Sequence, residues 1–271
     1  MKVDFYQESI FLPMMIRFAN FIICVLLANC GYSQCSTFYD RQQSPKIANY
    51  TIDVSLDHIS KIANCTQRVT WKNTSPDTIY ALRFYMYMNA FKDLKSSYLK
   101  DSGGSIFGVN IADRPAEAWG HISITTFRDI EDNELIGKSK YISPDDNNID
   151  DQTILEVPLA RPLLPNESAT YDMAFVTNMP KTIARSGYSQ QDFFLFVHWF
   201  PQVCVYEEDI AGNWYWNSHQ FLPGTEFFAD FGDYKVSIDA ADHLTIGASG
   251  CRLTGSKENG RQKVVFEGHD I

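Results

Sequence analysis

Apolar and polar positions alternate along most of the chain from Tyr50 onward. Tyr50, Ile52, Val54 and Leu56 alternate with Thr51, Asp53 and Ser55, the period of a half-buried strand. Val69 and Trp71 alternate with Arg68, Thr70 and Lys72. Asn73-Thr74-Ser75-Pro76-Asp77 then supplies turn chemistry. A third alternation follows, Leu82, Phe84 and Met86 against Arg83, Tyr85 and Tyr87. Three strands with short polar turns predict an antiparallel meander. The same habit predicts strands over 121–127, 153–157, 168–176, 234–238, 244–248 and 263–267. Residues 193–200 form a continuous apolar run of buried-strand type, and Pro158, Pro162 and Pro165 punctuate the stretch after Val157. Helical spacing is confined to 89–99, with Ala90, Phe91, Leu94 and Tyr98 on one side. The pattern predicts an all-β fold, a β-sandwich or folded sheet.

Two loops interrupt the strands. The stretch 101–120 carries Gly103, Gly104, Gly108, Pro115 and Trp119, and 143–151 reads SPDDNNIDD. Such acids could ligate Ca²⁺ through oxygen, but EF-hand spacing and its closing Glu are absent. The loop reads as a solvated acidic surface.

The N-terminus is set apart. Arg17 precedes an apolar run from Phe18 to Ala28 broken only by Asn20. That is shorter than the ~20 residues of a membrane span. Together with a small polar exit it predicts a secretory signal over 1–34, with Met14 or Met15 as alternative starts. The protein is therefore expected to be exported (periplasmic, cell-surface or secreted), with no transmembrane helix in the mature chain. Leu27-Ala28-Asn29-Cys30 resembles a lipobox, although Asn29 sits where a small residue is expected. The mature cysteines, Cys35, Cys65, Cys204 and Cys251, show no C-x-x-C spacing. An exporting compartment permits three pairings among them, and buried or free thiols are the equally open alternative. Composition adds two exclusions. A hydrophobic share of 45% rules out disorder, and a net charge of −10 leaves no basic stripe for nucleic acid.

No self-contained catalytic motif is present. The six His (His58, His121, His198, His219, His243, His269) include no H-E-x-x-H, and G-x-S-x-G, P-loop and G-x-G-x-x-G patterns are absent. The aromatic stretch 193–234 is the chemically unusual region. Core packing explains any single ring there, whereas a wall of rings with a few polar groups is the composition of a ligand cleft.

Four ordered segments carry a resemblance. Tyr50–Leu56 is similar to the opening strand of the N-terminal β-domain in the aminopeptidase N family of zinc metallopeptidases (gluzincins), especially its secreted bacterial branch. LRFYMYMNAFK at 82–92 resembles that family's L-x-F-x-L-Y-x-N-A-F-K segment. Trp199-Phe200-Pro201 through Val205-Tyr206 resembles its Q-W-F/Y-P…V-Y segment. EFFADFGDYKVSI at 226–238 resembles its E-F-x-x-F-G-x-Y-x-V-x-I segment. The resemblance covers 45–271 and implies a saddle-like antiparallel β-sandwich that caps the peptide cleft of a separate thermolysin-like domain. That catalytic domain carries the zinc and the H-E-x-x-H…E and G-x-M-E-N motifs, and by this comparison the sequence stops just before it. The chain itself is thus expected to be inactive and without a cofactor, zinc belonging to the intact family enzyme. Its expected partners are the missing catalytic domain and, in the intact enzyme, a peptide substrate.

His198, Trp199, Phe200, Tyr206 and Glu226 are the substrate-cleft candidates. Asp230, Gly232 and Asp233 are expected to shape a turn. In the family a Gln before W-F/Y-P helps surround the substrate's amino group. This chain has His198 there, which offers one acceptor when neutral and none when protonated. A different reading of the same rings is a free-standing secreted β-sandwich that binds peptide or carbohydrate through its aromatics.

Overall fold

The computed structural model describes residues 42–106 and 109–271. The predicted signal 1–34, the alternative starts Met14 and Met15, and Cys30 and Cys35 lie outside the described residues. The fold is almost entirely β, as the alternation predicts.

β1 (Ala48–Asp57) and β2 (Ile62–Lys72) pair antiparallel, Ile52 opposite Gln67. Ala48, Tyr50, Ile52, Val54 and Leu56 face inward from β1, and Ala63, Cys65, Gln67, Val69 and Trp71 from β2. The turn after β2 is built by Asn73. Its Oδ1 accepts from the Ser75 backbone N–H at 3.1 Å and hydroxyl at 2.6 Å, and its Nδ2 donates to the Asp77 carbonyl at 2.7 Å. Here the predicted meander is corrected. β3 (Ile79–Tyr85) does not pair with β2 but opens a second sheet. Both strands carry one apolar face, and the turn stacks those faces across a core instead of laying them side by side.

The predicted helix 89–99 divides into a 3-10 turn, Tyr87–Phe91, and the single-turn helix α1 (Ser97–Asp101). Ser96 caps α1 by accepting the Leu99 N–H, so the helix starts there. Leu94 is 39% exposed and leaves the expected face. A short ribbon, β4 (Ser105–Ile106) and β5 (Val109–Asn110), follows. Next come β6 (His121–Asp129), β7 (Lys140–Ile142), β8 (Ile154–Leu163) and β9 (Ser168–Asn178). β8 runs on through Pro158 and Pro162. Its pairing with β3 breaks register between Ile79 and Ala81, and such an irregularity accommodates prolines that a continuous ladder would not.

β10 (Gly187–Tyr188) pairs with β11 (Phe194–Leu195). Only these two residues of the predicted 193–200 strand are extended in a sheet, and His198 at φ 47 breaks the run. β12 (Gln202–Val203) joins the second sheet, and β13 (Val205–Glu208) with β14 (Trp214–Asn217) makes a separate ribbon. β15 (Tyr234–Ala241), β16 (Cys251–Glu258) and β17 (Arg261–Gly268) complete the chain. The predicted strand at 244–248 is irregular. β16 is an edge strand with almost every residue exposed, so it offers no apolar alternation to read.

The large sheet has the order β16-β17-β15-β1-β2-β9-β6, and the smaller one β12-β3-β8-β7. All their pairings are antiparallel except β1 with β15, which is parallel. Phe84 of β3 meets Phe127 of β6 edge to face at 5.3 Å, so the two sheets share one core. The acidic loop 143–151 is exposed over most of its length, as expected, and is also tethered to the fold. Asp145 accepts the Gln220 N–H at 2.6 Å, Asp146 the Gln220 side-chain amide at 2.9 Å, and buried Asp151 the N–H groups of Ser97 and Thr153. Among the described residues no helix is long and apolar enough to cross a membrane.

Cys251 is disulfide-bonded, while Cys65 and Cys204 are free and buried. Burial pushes both thiols far above the ordinary cysteine range. Thiolates are the reactive species, so a thiol reagent should label neither residue in the native protein and both after denaturation. Mass spectrometry of labelled peptides checks this, and rapid native labelling of Cys204 would contradict the packing.

Candidate functional site

Segments distant in sequence meet around residues 199–203. Gln67 and Thr177 are polar residues on the buried face of the large sheet, and both reach this segment. Gln67 Nε2 donates to the Pro201 carbonyl at 2.8 Å, and Thr177 Oγ1 donates to the Trp199 carbonyl at 2.8 Å. The Val203 N–H donates to the Tyr50 hydroxyl at 3.0 Å. An irregular segment inside a core needs such partners, because its backbone lacks a ladder. Trp199 packs on Phe175 and Phe196, and Phe200 on Tyr50 and Tyr234. Both residues therefore belong to the core side of the segment.

His198 turns the opposite way. Its ring stacks on Phe227 at 3.6 Å and lies 5.8 Å from Tyr87. Its Nδ1 is buried without a hydrogen-bond partner. Burial, with the Arg185 charge adding to it, lowers the imidazole pKa to about 4, so the ring is neutral at neutral pH. Arg185 lies over the Phe227 ring at 5.0 Å and pairs with Glu226 at 3.1 Å. Glu226 is 81% exposed, and Arg185 holds it at the rim. The cavity between Tyr87, Arg185, His198, Phe221 and Phe227 measures ≈ 20 Å³, room for about one water-sized group. The cluster is thus a packed rim with a neutral imidazole, a guanidinium and a carboxylate, not a side-chain pocket.

Tyr206 stands elsewhere, on β13, with Trp214 and Trp216 against its ring. Its hydroxyl donates to Asp77 at 2.8 Å. Burial and this hydrogen bond push its pKa up to about 12. Tyr206 shares a groove of ≈ 330 Å³ with Trp214, Phe228, Asp230 and Phe231, which is within the size range of small-ligand sites. Phe228 and Phe231 are 46% and 60% exposed. Asp230 is partly buried here, and burial, then the Glu207 charge, raises its pKa to about 6.

The turn expected at Asp230, Gly232 and Asp233 is corrected, since 225–233 is irregular without a tight turn. Asp233 bridges outward, accepting from Lys46 Nζ at 3.0 Å and pairing with His269 at 3.0 Å. Gly232 is required by close approach: a Cβ would lie 1.7 Å from the Ala48 carbonyl oxygen. The sequence candidates therefore fall in three places. His198 and Glu226 share the rim, Tyr206 and Asp230 share the groove, and Trp199 and Phe200, partly buried, pack against the core. Sequence reasoning missed Arg185 and Phe227 as the link between His198 and Glu226. Arg185 lies in a short turn with no motif, and only the stacking order reveals it.

No family model and no curated protein matches the chain. Solved structures do resemble it. The M1 zinc metallopeptidase from Deinococcus radiodurans matches 83% of this chain and 39% of its own at 12% identity, with a TM-score of 0.42. A mutant of that protein bound to a Tyr-ser-ala substrate matches 82% and 38% at 12% identity and TM-score 0.42. A two-domain M1 zinc metallopeptidase mutant bound to L-tryptophan matches 83% and 40% at 14% identity and TM-score 0.40. The chain spans about two-fifths of the length of these neighbours.

Proposed function

We propose that this chain acts as a non-catalytic N-terminal β-domain of an exported zinc metallopeptidase of the aminopeptidase type, capping the peptide cleft of a catalytic domain. One observation carries the reading. The four segments that resemble the family are the segments that interlock in space. Tyr50 stacks on Tyr234 at 4.9 Å and meets Phe200 edge-on at 5.5 Å. Tyr87, His198 and Phe227 meet at the rim. Residues scattered over more than 180 positions thus build two contacts on opposite sides of the 198–203 segment, the Tyr50–Phe200–Tyr234 rings toward the core and the Tyr87–His198–Phe227 rim, where Glu226 is the exposed carboxylate.

The chemistry assigned to this chain is positional. His198 offers one hydrogen-bond acceptor, and Glu226 can accept from an ammonium with charge assistance. Zinc would polarise the scissile carbonyl in the partner domain. The family's H-E-x-x-H ligand set does not occur in this chain, so no hydrolytic step is assigned to its residues. The test is to isolate the native polypeptide from its source with an antibody to residues 42–271 and to sequence everything recovered. A zinc peptidase domain, covalently continuous or associated, is the expected companion. Recovery with no metallopeptidase sequence would refute the reading.

The groove beside Tyr206 favours a second reading, a small-ligand site walled by exposed rings. Oligosaccharides or peptides that enter it should quench Trp214 fluorescence, and Trp214→Phe should abolish that change. The absence of any saturable change across both ligand classes would remove this reading.

A further inference from the structure

The parallel pairing of β1 with β15 has a local consequence. Ser55 stands opposite Asp239, so the two strands end side by side and their following turns are neighbours. Each turn carries a histidine, His58 after β1 and His243 after β15. The two rings lie 5.0 Å apart at 73°. A third loop arrives between β10 and β11. There Asp192, at φ 57, brings its Oδ2 to 3.5 Å from His243 Nε2. One ligand atom from each of His58, Asp192 and His243 lies within 4.8 Å of the other two.

We propose that His58, Asp192 and His243 bind one divalent transition-metal ion of the zinc type, clamping the Asp192 loop to the end of the large sheet. Two imidazoles and a carboxylate are a donor set for zinc or nickel, not for the oxygen-preferring Mg²⁺ or Ca²⁺. Metal–ligand bonds of about 2.0–2.2 Å place tetrahedral donors roughly 3.3–3.6 Å apart. The observed spread of up to 4.8 Å needs a closure of at most about 1.2–1.5 Å, which side-chain torsions of surface turns can supply. An ion pair accounts for His243 with Asp192 and an edge-to-face ring contact for His58 with His243, but neither alone requires a ligand atom of all three to converge within 4.8 Å. The carboxylate is already divided. Lys61 Nζ holds Oδ1 at 3.3 Å and is itself held over the Tyr188 and Phe194 rings, which leaves Oδ2 toward the histidines. An outer partner of this kind orients a ligating carboxylate. Three protein ligands leave at least one position open to water.

The site shares no residue with the His198 rim or the Tyr206 groove and does not depend on the peptidase reading. The experiment is calorimetric titration of the full chain, stripped of metal with chelator, with Zn²⁺, Ni²⁺, Mg²⁺ and Ca²⁺ in separate runs. Saturable binding of one equivalent of Zn²⁺ or Ni²⁺ is expected, without binding of Mg²⁺ or Ca²⁺. Asp192→Asn and His243→Ala should each weaken zinc by about tenfold or more, while His269→Ala leaves it unchanged. Zinc should raise the melting temperature of the wild type and not of the His243→Ala variant. His243 is exposed at a turn, so its removal leaves the fold intact, as far-UV dichroism will check. Failure of the wild type to bind zinc saturably, or undiminished affinity in His243→Ala, overturns the proposal.

Discussion

Gly232→Ala should destabilise the protein by about 3 kcal/mol or more, one of the largest effects of any single methyl addition in this chain. The new Cβ would stand 1.7 Å from the Ala48 carbonyl oxygen and 2.8 Å from its carbon. Those are backbone atoms of β1, which cannot rotate away. The same seam is closed by reciprocal hydrogen bonds between Gly232 and Ile271 at 3.1 and 3.2 Å, and by the Tyr50 N–H on the Asp233 carbonyl at 2.8 Å. Relieving the clash therefore opens the joint where β15 is fed in beside β1. For a domain of this size the melting temperature should fall by roughly 6–12 °C. Gly137→Ala is the control. It has open space around it and should stay within about 0.5 kcal/mol of wild type. A Gly232→Ala protein that melts with the wild type would show that this joint is misdescribed.

The second large effect is a pair of opposed pH dependences. His198 has a folded pKa of about 4 against an ordinary 6.5. Between those values the unfolded chain binds a proton that the folded chain does not, so His198 makes stability fall as pH drops through 6.5 toward 4. Asp230 has a folded pKa of about 6 against 3.8. Between those values the folded chain binds the extra proton, so Asp230 makes stability fall as pH rises through 3.8 toward 6. At about 1.4 kcal/mol per unit, reduced for the partial exposure of both groups, each contributes roughly 2 kcal/mol. In the wild type they cancel in part. Substitution separates them. His198→Gln should gain roughly 2 kcal/mol relative to wild type on moving from pH 7.5 to 4.5. Asp230→Asn should lose a similar amount over the same interval. The strain of a new side chain at position 198, where φ is 47, adds a constant that the pH difference removes. Urea unfolding of the three proteins at both pH values measures this, and differences that do not change with pH would contradict the burial of these two groups.

The legible parts of the fold were those where one face alone is buried. β1, β2 and β9 alternate because only one face of the large sheet they belong to is buried; the pattern marks nearly all of β1 and β9, but its alternation at 68–72 marks only the end of β2 (Ile62–Lys72). Three features were illegible for separate reasons. β16 is exposed on both faces, so burial leaves no mark on its sequence. The 193–200 run is as apolar as a buried strand, yet its rings wedge into several directions from an irregular backbone, and composition does not encode direction. The partner of β1 lies near residue 238, and pairing across that distance depends on the assembled core, not on local period.

The candidate site was legible in the same uneven way. The Gly232 motif position is explained by a single short contact, and His198 stands where the rim is formed. Tyr206 could not be separated from His198 by sequence, since both lie in the same aromatic stretch, but His198 packs on Phe227 and Tyr206 on Trp214 and Trp216. The histidines of the proposed metal site are 185 positions apart in number, and only the parallel register joins them.

The central claim is that these residues position a peptide without cutting it. The most direct measurement is hydrolysis of aminoacyl-anilides by the purified chain across a zinc titration. The account predicts no turnover at any zinc concentration, even while zinc binds. Turnover that scales with protein and is abolished by chelation would contradict it.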